Sequence, residues 1–497
     1  MNSREERKGS RQSSRRRFLK GSALLAGLAA VGGVRSARGQ ARQIGDGSKF
    51  PGFVHDESAP KENILRDPWT GEPLRDAEGS LIVDWSGTPQ WKAYQQRARA
   101  LGGPAYGNQE KDYRLHGYRS RYVTSYRIGT KGTQDPAPTT VKTPFLSLLN
   151  PIQDQPGIIT PSALHFVDEH GFEQPDIDPR KHTLMISGMV NRPVKFTMEE
   201  LMRRLPSVSR IHFVECNSDG TASHPVRVEP YATPGDIYGE FSCSEWTGVL
   251  LSTLLEIAGV QRGASWIWAE ATDSFNHGAS IPLAKALDDC IVAFGQNGEP
   301  LRPENGFPLR LVAPGFEGMR SIKRLGRIKV TNEPGLFMRE TGAGYTDVRP
   351  DNKIRWFRFE MGAKSIILQP STTSPLTTRG FYEVRGLAWS GGGKVRRVEV
   401  TTDGGRTWKD AQLQEPVFSK AATRFVFPWT WNGEEVTMAS RCTDERGSTQ
   451  PTTAEMAKVW GVQPEYFRNG QRVWRFNVIQ PWKIARDGRV TNAIFAI

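Results

Sequence analysis

Hydrophobic and polar positions change their rhythm twice along the chain. Residues 40–143 hold no sustained period. They are polar and rich in Gly, Pro, Arg and Tyr, as in Tyr113-Arg114-Leu115-His116-Gly117-Tyr118-Arg119, and close on Asp135-Pro136-Ala137-Pro138. Such a segment predicts an extended wrapping arm and a linker. Residues 144–350 mix short apolar runs with helical spacing. Thr197-Met198-Glu199-Glu200 has a capping threonine with a glutamate three positions on, and Met198, Leu201, Met202 and Leu205 share one side, so a helix begins there and stops before Pro206. A second helix is expected over residues 250–258, ended by Gly259. Ile211-His212-Phe213-Val214, Ile291-Val292-Ala293-Phe294 and Leu309-Arg310-Leu311-Val312 read as strands, which makes this part α+β. In residues 360–497 the period falls to two. Segments 381–388, 395–401, 407–413, 424–428 and 435–444 alternate between turn residues, with Asp403-Gly404-Gly405 as a hairpin signal. That spacing predicts an all-β immunoglobulin-like sandwich, with Trp389, Trp408 and Trp429 as its core aromatics.

Charge alters this picture only at the N-terminus. The 497 residues carry 66 Lys+Arg against 53 Asp+Glu, a net +13. Ten of the basic and two of the acidic side chains fall in residues 1–39, which leaves the remainder at 56 against 51. A mature chain so nearly balanced does not predict a nucleic-acid partner. The basic segment reads Ser14-Arg15-Arg16-Arg17-Phe18-Leu19-Lys20, followed by a Gly- and Ala-rich apolar stretch over residues 21–34 and by Ala37-Arg38-Gly39. It has the form of a twin-arginine signal peptide over residues 1–39, cleaved before Gln40, and its apolar stretch is shorter than the ~20 residues that span a bilayer. The expectation is a periplasmic protein, exported folded, with no membrane span in the mature chain.

One residue type carries candidate chemistry. Cys216 stands in Phe213-Val214-Glu215-Cys216-Asn217-Ser218-Asp219-Gly220, where an apolar strand gives way to turn residues. A sulfur presented there is placed to ligate a soft metal or attack a substrate, although on chemistry alone small apolar filler at a strand end is the favoured reading. The other cysteines, Cys243, Cys290 and Cys442, have no ligand spacing and read as buried structural thiols. The chain contains no Cys-x-x-Cys-His, so no haem is expected in it.

Long ordered runs narrow the alternatives. They include Ile159-Thr160-Pro161-Ser162-Ala163-Leu164-His165-Phe166, Ser207-Val208-Ser209-Arg210-Ile211-His212-Phe213-Val214-Glu215-Cys216 and Ser242-Cys243-Ser244-Glu245-Trp246-Thr247-Gly248-Val249. Gly306-Phe307-Pro308-Leu309-Arg310-Leu311-Val312-Ala313-Pro314-Gly315, Gly386-Leu387-Ala388-Trp389-Ser390-Gly391 and Ala411-Gln412-Leu413-Gln414-Glu415-Pro416-Val417 continue the series. In these runs the sequence resembles the sulfite oxidase family of molybdenum enzymes, and within it the sulfane dehydrogenase type of the Sox sulfur-oxidation system. The resemblance implies a molybdopterin-binding α+β domain over residues 144–350 and an immunoglobulin-like dimerisation domain over residues 360–497. It implies a molybdenum-molybdopterin cofactor with Cys216 as the protein ligand to the metal, His170 at the pterin, and Arg320, Ser321 and Lys323 at the cofactor phosphate. His277 takes the place of the active-site tyrosine of sulfite oxidases and is a catalytic candidate. The activity implied is oxidation of sulfite or protein-bound sulfane sulfur by oxygen-atom transfer. Electrons would pass to a c-type cytochrome subunit, with a sulfur-carrier protein as a further partner and a homodimer or hetero-oligomer as the assembly.

Three positions depart from the family pattern. Asp168, Thr221 and Trp460 stand where relatives carry arginines able to charge an oxyanion pocket. Loss of such arginines, and gain of a carboxylate, weakens an anion site by like-charge repulsion. Free sulfite is therefore not the assured substrate. Altered specificity, as in a sulfoxide reductase, or a metal-free scaffold subunit are the alternatives.

Overall fold

The structure is a computed structural model that describes residues 72–73, 123, 125–129, 146–169, 175, 177–220, 225–273, 277–341, 345–348, 353–468 and 473–497. Ser125–Ile497 form one compact unit, to which everything below belongs. The signal-like segment, almost all of the arm, His170 and Thr221 lie outside the described residues.

Strands β1 (Ile128–Gly129), β2 (Leu146–Leu149) and β3 (Val167–Glu169) form a small antiparallel sheet, so residues 128–129, assigned above to the arm, pair with the folded body. The chain then builds β4 (Thr183–Gly188), β5 (Val194–Thr197) and α1 (Met198–Arg203). The capping box forms as its sequence predicts: Thr197 Oγ1 accepts from the Glu200 amide at 3.2 Å, and Glu200 Oε2 accepts from the Thr197 amide at 2.9 Å. Next come β6 (Val208–Glu215), α2 (Pro234–Tyr238), β7 (Phe241–Leu250) and α3 (Leu251–Ala258). Gly259 closes α3 at φ +71°, where an added Cβ would also run into Asn191. The domain is completed by β8 (Trp266–Ala271), β9 (Gly278–Pro282), α4 (Leu283–Asp288), β10 (Ile291–Gln296), β11 (Glu299–Pro300), β12 (Arg310–Val312) and β13 (Leu325–Thr331).

Two five-stranded sheets result. One runs β5-β4-β13-β8-β9, with β4 and β13 parallel; the other runs β11-β10-β7-β6, with β12 also on β10. Alternation in β4 turns Leu184 and Ile186 into the core and Met185 outward. Leu251, Leu254, Leu255, Val292, Leu311 and Ile328 fill the space between the sheets and α3. A separate cluster of Phe166, Val214, Trp246, Ile291 and Val312 underlies Cys216.

A short helix α5 (Met338–Thr341) and the two-residue strands β14 (Asp347–Val348) and β15 (Ile354–Arg355) lead to the second domain. There β16 (Lys364–Gln369), β17 (Gly380–Trp389), β20 (Gln412–Gln414) and β21 (Thr423–Trp431) form one sheet in the order β16-β17-β21-β20. The facing sheet has the order β19-β18-β22-β23-β24, from β18 (Val395–Thr401), β19 (Lys409–Asp410), β22 (Val436–Asp444), β23 (Trp482–Ile484) and β24 (Val490–Asn492). The single strand expected over 407–413 is thus two short strands in different sheets. The sandwich also carries a helix, α6 (Thr453–Trp460), which its all-β reading omitted. Of the three tryptophans expected in its core only Trp389 is fully buried; Trp408 and Trp429 are half-buried, and Trp431 and Trp482 take the interior. The reason is strand parity: odd-numbered residues of β21 from Thr423 to Phe427 point inward, and Trp431 returns to that side beyond the half-exposed end of the strand.

The two domains share one core. Trp389 packs at 4.2 Å between ring centroids on Phe241 and edge-on to Tyr238, and the cluster runs from Phe213 through Ile366 to Trp482. Aromatic pairs of this kind add about 0.5–1.5 kcal/mol each beyond their area burial. No described helix is long and apolar enough to cross a membrane.

Candidate active site

β6 ends at Glu215 and delivers Cys216 to the wall of a cleft of about 780 Å³ of empty space, part of it open to solvent. Short bonds hold the turn that follows. The Cys216 amide donates to Glu240 O at 2.9 Å, the Asp219 amide to Cys216 O at 3.1 Å, and the Arg475 amide to Asn217 O at 2.6 Å. Cys216 Sγ lies 3.3 Å from Ser218 Oγ and 3.9 Å from Asp168 Oδ2. Burial pushes this thiol well above the ordinary range, and the charges of Glu240 and Asp168 push the same way. A sulfur in that setting keeps its proton until a cation replaces it.

Basic and acidic side chains alternate around the cleft. Lys323 Nζ donates to Glu169 Oε1 at 2.8 Å and to Asp168 O at 3.3 Å. Arg324 spans Glu169, at 2.9 and 2.8 Å, and Asp273, at 2.9 Å. Arg310, 3% exposed, donates to Asn305 O at 3.0 Å and sits 5.1 Å over the Trp246 ring; burial pushes it down to about 10. Among the described residues Arg310 forms no ion pair, so its charge is available to an anion in the cleft. His165 also lines the cleft. Its Nδ1 lies 2.9 Å from Phe166 O, which fixes Nδ1 as the protonated nitrogen, and burial holds its imidazole well below the ordinary range.

The sequence-based candidates are distributed unevenly. Cys216, His277, Ser321 and Lys323 all line the cleft. Ser321 Oγ accepts from the Ala313 amide at 3.2 Å, and His277 is half-buried with its carbonyl accepting from the Ala271 amide at 2.8 Å. Arg320 does not line it. Its guanidinium, 2% exposed, is taken up by Glu317 at 3.1 Å, by Glu340 and by Ser280 O at 2.8 Å, because the short turn Gly318–Arg320 turns it inward under β9. Trp460 is likewise remote, buried in α6 against Phe467. The cleft also holds a tyrosine that the sequence reading did not single out. Tyr345 stacks on Trp474 with rings 9° from parallel and accepts from Arg339 Nη1 at 3.4 Å. Arg310, Arg324 and Arg339 were missed too. For Arg310 a signal existed, an arginine inside the otherwise apolar strand Leu309-Arg310-Leu311-Val312.

These groups suit a metal that arrives with its own ligands. Among the described residues no three His, Cys, Asp or Glu side chains cluster as a metal-binding group; the cleft offers Cys216 as its thiol donor, with the Met319 thioether also on its lining. Arg310, Lys323 and Arg324 on the same cleft provide the donors and positive charge that an anionic organic ligand to that metal requires.

Comparison with known proteins points to the same group. Residues 171–336 match the family described as oxidoreductase molybdopterin binding domain, and residues 355–473 match the Mo-co oxidoreductase dimerisation domain. The crystal structure of the sulfane dehydrogenase SoxCD from Paracoccus pantotrophus superposes with a TM-score of 0.69 at 32% identity, covering 78% of this chain and 96% of that one. A nitrate reductase [NAD(P)H] of Hordeum vulgare is 34% identical over 367 residues, and a nitrate reductase [NADH] of Solanum lycopersicum 33% over 375. Each of these alignments takes in 66% of this chain, which spans only about 40% of the length of those reductases. The chain therefore belongs to the sulfite oxidase family of molybdopterin oxidoreductases, with the molybdopterin-binding domain followed by the dimerisation domain.

Proposed function

We propose that this protein is a periplasmic molybdenum-dependent dehydrogenase that oxidises a sulfur substrate, sulfite or sulfane sulfur held on a carrier protein, and delivers the electrons to a c-type cytochrome subunit. The observation that carries the reading is the half-buried Cys216 sulfur on the wall of a cleft lined by both basic and acidic side chains, in a chain that aligns with 96% of one chain of a sulfane dehydrogenase. Cys216 holds the metal, Lys323 and Ser321 hold the organic part of the cofactor, and His277 and Tyr345 face the substrate. When bound, the molybdenum-pterin group supplies two-electron oxygen-atom transfer. The chain's own groups orient the substrate and set the charge it meets.

Asp168 favours carried sulfane sulfur over free sulfite. Its carboxylate stands 3.9 Å from the ligand sulfur, and two unit charges about 4 Å apart repel by about 4 kcal/mol at the effective dielectric of a protein surface. A sulfane sulfur at the end of a carrier's side chain carries at most one negative charge, against up to two on sulfite, and meets less of that repulsion. A second reading, reduction of an oxyanion such as nitrate, is favoured by the identity to nitrate reductases. The same carboxylate weighs against it.

The test is molybdenum and pterin content per chain of protein from a cofactor-competent host, then steady-state rates with sulfite, sulfur-loaded carrier protein, nitrate and a sulfoxide. One molybdenum per chain, lost in Cys216→Ser, with oxidation of the carrier substrate fastest, is the expected result. Absence of molybdenum rejects the enzyme reading, and a dominant nitrate rate rejects the substrate class.

A further inference from the structure

Ser218 stands between the sulfur of Cys216 and a buried ion pair that the proposed reaction does not use. Its Oγ is 2.5 Å from Glu240 Oε2 and 3.3 Å from Cys216 Sγ. Glu240, 6% exposed, is bound in turn by Arg227 Nη2 at 2.9 Å, and Arg227, 2% exposed, also donates to the carbonyl of Ser218. A serine hydroxyl has one proton and two acceptor positions. With a thiol at Cys216 the chain of bonds closes: the S–H donates to Ser218 Oγ, and the hydroxyl donates to Glu240. A sulfur bound to a metal carries no proton. The 3.3 Å contact then sets two lone pairs against each other unless the hydroxyl turns its proton to the sulfur. That turn leaves Ser218 Oγ facing Glu240 Oε2 with no proton between them, so their 2.5 Å contact must lengthen, while Arg227 stays on the same carboxylate oxygen as its partner.

We propose that Ser218 is a positioning residue that donates its hydrogen bond to the metal-bound sulfur of Cys216, turning to it from Glu240, and thereby sets how strongly that sulfur donates to the metal. The inference rests on the reading of Cys216 as the molybdenum ligand. Hydrogen bonds to a ligand sulfur withdraw electron density and raise the reduction potential of the metal they serve. The Arg227–Glu240 pair fixes the serine within reach of both acceptors.

The experiment compares loaded wild type with Ser218→Ala and Ser218→Thr, after metal analysis of each. In Ser218→Ala the sulfur-to-molybdenum charge-transfer absorption moves to longer wavelength and the metal potential becomes more negative; Ser218→Thr, which keeps the hydroxyl, returns both towards wild type. The wild type alone gives a second reading: its metal–sulfur stretching frequency shifts when the protein is transferred to heavy water. An unchanged absorption and potential in a Ser218→Ala protein with full metal content overturns the proposal. So does a stretching frequency indifferent to heavy water, a result that needs no variant to fold. Wild type that binds no molybdenum removes the reading of Cys216 itself, and is told apart by the metal analysis made first.

Discussion

Lys364 Nζ lies 2.6 Å from Glu215 Oε1, and both side chains are fully buried. Lys364 begins the second domain's first strand, and Glu215 is the residue before Cys216. The second carboxylate oxygen of Glu215 accepts from the Trp389 indole at 2.9 Å, and Lys364 reaches past Cys216 to Asp219 O at 3.0 Å. The dimerisation domain thus grips the turn that carries Cys216 at residues on both sides of it. Burial pushes the Asp219 carboxyl well above the usual range, against the pull of Lys364.

Lys364→Met leaves the Glu215 charge without its partner in a dry interior. Removal of one member of a buried pair costs about 3–5 kcal/mol, and removal of both costs far less. The single variant is expected to lose that much in urea denaturation and to bind less molybdenum, because the displaced residue is Glu215, next to the ligand. Lys364→Met combined with Glu215→Gln recovers most of the stability. Equal losses in the single and double variants would show that the pair does not carry the coupling.

Arg320 and Lys323 are three positions apart and have opposite tasks. Arg320 is bound to Glu317 and Glu340 in the interior, whereas Lys323 is on the cleft. Arg320→Gln is expected to lower stability by about 3–5 kcal/mol, while folded protein retains its cofactor. Lys323→Met is expected to fold and to lose cofactor. Thermal melts with pterin analysis on the folded fraction check both, and a cofactor-depleted but stable Arg320→Gln protein contradicts this assignment.

What the sequence makes legible is what local physics decides. The α1 capping box, the Gly259 stop and the strand 395–401 follow from side chains within a few residues, and the structure forms each of them. The cleft is assembled from distant segments. Asp168 meets Cys216 across 48 positions, and Tyr345 joins them from beyond β13. No local period encodes such meetings. The inward turn of Arg320 was hidden for the same reason: its partner Glu340 comes from α5, twenty residues on. Resemblance located Cys216, yet the turn residues Ser218 and Asp219 acquire meaning only beside Glu240 and Lys364.

His212 makes stability depend on acid. It is 8% exposed on β6, and burial pushes its imidazole down to about 4, with Asp289 pulling weakly the other way. The folded state therefore binds this proton less readily than the unfolded chain, whose histidines titrate near 6.5. The stability contributed is complete above about pH 6.5 and is lost as pH falls towards 4, by about 3 kcal/mol in total. Urea denaturation at pH 7 and pH 4 should show wild type losing about that much more than His212→Gln, since other titrating groups cancel in the difference. Equal losses would place the acid sensitivity elsewhere.

If the proposed function holds, Asp168 is the residue through which charge selects the substrate. The resemblance implies an arginine at that position, and here a carboxylate lies 3.9 Å from the Cys216 sulfur. Removing the charge lowers the cost of bringing an anion to the metal, and even a third of the roughly 4 kcal/mol repulsion between unit charges corresponds to about a tenfold change in binding. Asp168→Asn is therefore expected to raise kcat/KM for sulfite about tenfold or more, chiefly through KM, and Asp168→Arg more again. A carrier-bound sulfur, with its smaller charge, gains less from either substitution, so the ratio of the two specificities moves towards sulfite. The effect should shrink as salt is raised, because part of the cleft is open to solvent and its charges are screened. A sulfite kcat/KM unchanged in Asp168→Asn at low salt would show that the carboxylate is turned away from the substrate, and that the preference for carried sulfur has another source.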